Sequence, residues 1–124
     1  MRGVMTTVSA VALLGLAIAG KPTAAFAAGY DGNWTVQVIT EQGKCDRLYS
    51  YDVSVSNGKI HYPSYTSVSL YGTVSPQGAV MVSIRHLDDI ATGSGQLMAR
   101  TGNGGWRGVG RSGSCSGHWK AHRR

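Results

Sequence analysis

Few side chains in this sequence have the types and spacing that catalysis or metal binding demands. His118 and His122 stand four apart, the interval at which two imidazoles on one helix face ligate a metal. No carboxylate lies between them, and the segment reads as the end of a strand. With His61 and His86 far away in sequence, no metal site is assigned. Gly108-Val109-Gly110-Arg111-Ser112-Gly113 has the G-x-G-x-x-G spacing, which cradles a pyrophosphate only where a strand leads in and a helix follows. No helical period follows here, so no dinucleotide cofactor is expected. Asp88-Asp89 supplies two carboxylates, but paired-carboxylate hydrolysis needs them to converge on one bond. Neighbours on a strand or turn point apart, and a surface loop is the expectation. Ser, His and Asp are present without a G-x-S-x-G elbow to expose a nucleophile. These residues predict a protein that is not an enzyme and carries neither cofactor nor metal.

Recognition is the chemistry that remains. Trp106, Arg107, Arg111, Trp119, Lys120 and Arg123 interleave aromatic and basic side chains, and together they form the candidate binding surface. Aromatic faces stack on sugars, and guanidinium groups pair with acidic groups. The same interleaving suits single-stranded nucleic acid, a ligand that the export signal described below argues against. From Arg100 onward the cations Arg100, Arg107, Arg111, Lys120, Arg123 and Arg124 occur with no acidic residue. Two readings stay open: solubility with a basic C-terminal tail, or attraction to an anionic envelope polymer, a lipid headgroup or a protein partner. Tyr49, Tyr51, Tyr62, Tyr65 and Tyr71 fit half-buried strands.

The start of the chain is an address. Arg2 is followed by the uncharged apolar run 8–19, then by Lys21-Pro22 and by Ala25-Phe26-Ala27, an A-x-A cleavage site. This order is that of a secretory signal peptide over residues 1–27, and the apolar run falls short of the roughly 20 residues a spanning helix needs. The expected location is periplasmic or secreted, with no membrane span after cleavage. The formal charge of the 124-residue chain is +6, and losing Arg2 and Lys21 leaves +4. Cys45 and Cys115 are the two cysteines, an even count that predicts a disulfide in an exported domain.

Residues 28–124 read as a single all-β domain, long enough for one core and no more. Period-two alternation recurs throughout. Trp34, Val36 and Val38 share one face, as do Tyr51, Val53 and Val55; Val68, Leu70 and Val74; and Val80, Val82 and Ile84. Asn57-Gly58 is a hairpin signal, because a type I′ turn needs positive φ at both central residues. Pro76-Gln77-Gly78 is a turn, and Thr101 to Gly105 reads as a glycine-rich one. Eight short strands with short links predict an antiparallel meander, with closure into an eight-stranded barrel to hide the edges. The alternative is a two-sheet β-sandwich. Cys45 follows the first strand and Cys115 begins the last, so a barrel seam would bring them together. Glycines 93, 95, 108 and 110 alternate within strands. Strand coiling, packing under a tryptophan, or a ligand groove would each account for them.

Asp31-Gly32-Asn33-Trp34 at the start and Cys115-Ser116-Gly117-His118-Trp119-Lys120-Ala121-His122-Arg123 at the end resemble a family of small exported bacterial proteins of uncharacterised function. That family has a D-G-x-W start and a C-x-G-x-W-x-A-x-R finish. More loosely, Gly32-x-Trp34 with a late basic residue is similar to the calycins, the lipocalin and avidin type of meander barrel. That resemblance implies a tryptophan plugging one end of the barrel, covered by Arg123 or Lys120. This chain is shorter than those families, so a roomy ligand cavity does not follow from the resemblance. Secreted protease inhibitors of similar build place their cysteines closer together. The functional expectation is an exported, non-catalytic binding module for an envelope component, a small ligand or a protein partner. The alternative is an inhibitor of an extracytoplasmic hydrolase.

Overall fold

A computed structural model describes residues 29–111 and 113–124. The signal peptide read over residues 1–27 lies outside the described residues. The strands are β1 (Gly32–Gln42), β2 (Leu48–Ser56), β3 (Lys59–His61), β4 (Val68–Val74), β5 (Ala79–His86), β6 (Asp89–Leu97), β7 (Thr101–Gly110) and β8 (Gly113–Arg123). Each pairs antiparallel with the next, and β8 returns to β1, so the sheet closes into an eight-stranded barrel rather than a sandwich. This architecture is consistent with the looser of the two resemblances, to small calycin-like barrels.

Alternation decides which side chains enter the barrel. On β1, Trp34 is buried while Val36 and Val38 pack against the core; on β2, Val53 and Val55 are buried; on β5, Val80 is buried. Asn57 (φ 54°) and Gly58 (φ 75°) both occupy the left-handed region, as a type I′ turn requires, and they set the β2–β3 register of Val55 to Ile60. Pairing of β1 with β8 places Trp34 beside Arg123 and Val38 beside Trp119, with a bulge between Thr40 and Gln42.

Two segments differ from the sequence-based reading. Thr101 to Gly105 is not a turn but the first half of β7, and the chain reverses over Met98 to Arg100, where the Met98 N–H donates to the Thr101 carbonyl at 2.7 Å. The reason is close packing within the β6–β7 pair: a Cβ on Gly95 would first meet the Asn103 carbonyl and one on Gly104 the Ser94 carbonyl, with the indole of Trp119 next. A Cβ on Gly95 would stand 2.6 Å from Trp119 Cζ2, and one on Gly104 2.7 Å from its Cε2. Those glycines are strand residues lying against an aromatic ring. The basic tail is ordered as well. Strand β8 runs through Arg123, and the Arg124 N–H donates to the Asn33 carbonyl at 2.8 Å.

Candidate functional site: a cavity closed at one end

The closed end is built on Trp34. Its ring is 1% exposed, and its Nε1–H donates to the Tyr30 carbonyl at 3.0 Å. Arg123 covers the ring with Cζ 5.3 Å from the centroid, a cation–π contact. The same guanidinium donates to the carbonyls of Gly29 at 3.2 Å and Ala99 at 2.8 Å, and to that of Asp31. It thereby ties the chain entering β1 to the β6–β7 turn. Gly32 lies beneath this arginine, since a Cβ there would meet Arg123 Nε at 3.5 Å. Lys120, the other basic residue that could have covered Trp34, pairs in register with Gln37 and Asn103 and is exposed.

Between this plug and the opposite end lies a cavity of about 540 Å³. Val38, Leu70, Val82, Ile84 and Trp106 supply much of its wall. It exists because β6 and β7, apart from Trp106 and Leu97, present small residues to it: Ala91, Gly93, Gly108 and Gly110. Near the closed end the rings of Trp34 and Trp119 occupy the interior, and towards the mouth Trp106 lies against the wall. The shortness of the chain does not leave this barrel filled. Chain length limits the loops, whereas strand number sets the radius.

Polar groups gather at the mouth, where Lys44, Asp46, His86 and Asp89 line the opening. His86 and Asp89 face each other across the β5–β6 hairpin, and Asp89 Oδ1 accepts the Arg111 N–H at 3.2 Å. Deeper in, Tyr51 meets Tyr62 edge to face, with centroids 5.5 Å apart and planes at 78°. Burial holds the Tyr51 phenol protonated beyond its usual range, and neighbouring Tyr62 and Tyr49 push the same way. The two indoles that line the cavity have their N–H groups satisfied. Trp106 donates to the Ile39 carbonyl at 2.9 Å and Trp119 to that of Ser94 at 3.2 Å. Both rings are thus fixed as apolar surfaces.

The rim is held on one side by the Cys45–Cys115 disulfide, with Cα atoms 6.1 Å apart. It joins the β1–β2 loop to the start of β8 beside the seam. Buried Thr40 adds two bonds to that loop, its hydroxyl to the Asp46 carbonyl at 2.6 Å and its N–H to the Arg47 carbonyl at 3.0 Å.

The six residues of the candidate binding surface do not share one face. Trp106 and Trp119 line the cavity and Arg123 sits at the plug. Arg107 and Lys120 are exposed on the outside of β7 and β8, and Arg111 is exposed at the β7–β8 turn. His118 and His122 alternate with the inward Trp119 and Ala121, and His118 Nδ1 lies 3.1 Å from Glu41 Oε2. No cluster of three metal-ligating side chains occurs among the described residues. Sequence reasoning missed Val38, Leu70, Val82 and Ile84 as site residues. Their signal was there: large apolar residues alternating on β1, β4 and β5, set against Ala and Gly alternating on β6 and β7. Against known proteins, no family model, no curated protein and no solved structure matches this chain.

Proposed function

We propose that this protein is an exported carrier or sensor that holds one small, largely apolar molecule inside its barrel without transforming it. The observation that carries this reading is the cavity of about 540 Å³, walled by aliphatic and indole side chains and rimmed by polar ones. Pockets of roughly 300–1,000 Å³ with this distribution of groups are the usual form of small-molecule sites. At roughly 30 Å³ per water-sized group, about 18 such groups would fill it. The apolar part of a ligand would lie against Trp106 and Trp119, with any polar end among Lys44, His86 and Asp89. The disulfide is consistent with an oxidising compartment, which supports export. The calycin-like resemblance carried by Gly32, Trp34 and Arg123 favours the same reading.

Titration with the neutral apolar dye N-phenyl-1-naphthylamine tests it. Saturable 1:1 binding that quenches tryptophan emission is expected. Val82→Phe together with Ala91→Phe projects two rings into the cavity and should weaken dye binding at least about tenfold, which is about 1.4 kcal/mol. The folded baseline in near-ultraviolet circular dichroism should persist. Equal dye binding by the filled variant would place the dye on the outer surface and overturn the reading.

A further inference from the structure

The acid-free stretch from Arg100 onward becomes β7 and β8, and these two strands pair along their whole length. A one-sided charge distribution in sequence thus becomes one contiguous piece of barrel wall. On β8 the inward positions are Trp119, Ala121 and Arg123, so His118, Lys120, His122 and Arg124 fall at alternate positions on the outside. Arg107 joins the row from β7, opposite Ser116. Their lateral neighbours are uncharged: Thr101, Asn103 and Gly105 on β7, and Thr35, Gln37 and Ile39 on β1. Two carboxylates border the row at its ends, Glu41 at 3.1 Å from His118 and Asp52 at 4.0 Å from Arg124. Among the described residues, no carboxylate comes within ion-pair distance of Lys120 or Arg107.

We propose that this outer row binds an extended anionic polymer laid along β8, independently of the cavity. Alternate residues on an antiparallel strand repeat about every 6.8 Å. A flexible chain with one negative group per comparable repeat can meet Arg107, His118, Lys120, His122 and Arg124 in succession. A folded acidic partner fits less well. A stable protein interface needs about 800 Å² per side, and this row is narrow, between uncharged neighbours. Screening within roughly 8 Å at physiological salt keeps the attraction short-ranged, so contact along the row must supply the affinity.

The test uses long-chain inorganic polyphosphate and the purified protein, with binding followed by fluorescence anisotropy across a salt series. Neutralising about three to four charges should make log K fall with log salt at a slope of roughly −2 to −3. Arg107→Glu with Lys120→Glu should weaken binding at least about tenfold, whereas Lys59→Glu with Arg85→Glu, the same change in net charge on other faces, should stay within about twofold. Equal loss in the two pairs would show a response to net charge alone and overturn the proposal. So would absence of polyphosphate binding at low salt, or binding confined to vesicles containing phosphatidylglycerol. The cavity-filled variant should bind polyphosphate as the unchanged protein does, which separates failure here from failure of the carrier reading.

Discussion

Arg123 shows how much one side chain can organise. It covers Trp34 with its cationic face while its N–H groups reach three backbone carbonyls on two segments. A lysine can offer a charge there but not a planar fork. Arg123→Lys is therefore expected to lose about 1.5–3 kcal/mol, the range for hydrogen bonds to a charged group, in urea unfolding. Trp34→Ala should cost about 3–5 kcal/mol by the same measurement, because the ring is buried. Tyr51 gives a pH signature. Its phenol is held protonated above the usual tyrosine range by burial first, then by Tyr62 and Tyr49. The native state therefore keeps a proton that the unfolded chain releases, so stability is full below the ordinary tyrosine pKa and is lost as pH rises towards the raised one. Alkaline titration at 295 nm should show the Tyr51 phenol ionising late, and Tyr51→Phe should remove that late phase together with its part of the alkaline loss. A late basic residue over Trp34 was implied by the calycin-like resemblance, which left Arg123 and Lys120 as alternatives; which of them covers the ring depends on strand register. The side-chain role of Trp106 was not legible from sequence, since a tryptophan beside an arginine looks the same whether it points in or out.

At the scale of elements, strands β6 and β7 explain both what the sequence discloses and what it conceals. Alternation on β1, β2, β4 and β5 is written in Val, Leu, Ile and aromatic residues and can be read directly. On β6 and β7 it is written in Ala and Gly, whose small size hides the inward face. The run Thr101 to Gly105 consequently looks like a turn, although it is a strand pressed against the Trp119 ring. Gly95→Ala or Gly104→Ala sets a methyl against the facing strand's backbone as well as the ring, and should cost at least about 1–3 kcal/mol, the usual penalty of overpacking. A shift in near-ultraviolet circular dichroism would report the displaced indole. A near-neutral result at both positions would overturn this close packing. Identity at these positions thus has two uses along the same pair of strands. Towards the closed end small residues admit tryptophans, and towards the mouth they leave space.

At the scale of the whole molecule, closure was the most legible feature, and its reason is topological. Short links force neighbours to be antiparallel, and an even number of strands lets the last lie antiparallel against the first. The cysteines agree with closure, because Cys45 and Cys115 are 70 residues apart and pairing of β8 with β1 brings them together. Holding a loop of 70 residues should contribute about 4 kcal/mol through the unfolded state, so Cys45→Ser with Cys115→Ser should lower stability by up to that amount. Urea midpoints of the two proteins, at unchanged m-value, would measure it. The interior volume was not legible, because it depends on how eight faces combine rather than on any one of them. Closure also has a meaning in time. The contact between Asp31 and Arg123 joins residues 92 apart. At about 5–20 residues per second, β1 is made on the order of 5–20 s before its partner β8 exists. Throughout that interval β1 is an open edge, and of its outward residues Thr35, Gln37, Ile39 and Glu41 only Ile39 is apolar, which makes it a poor template for a second unfinished copy.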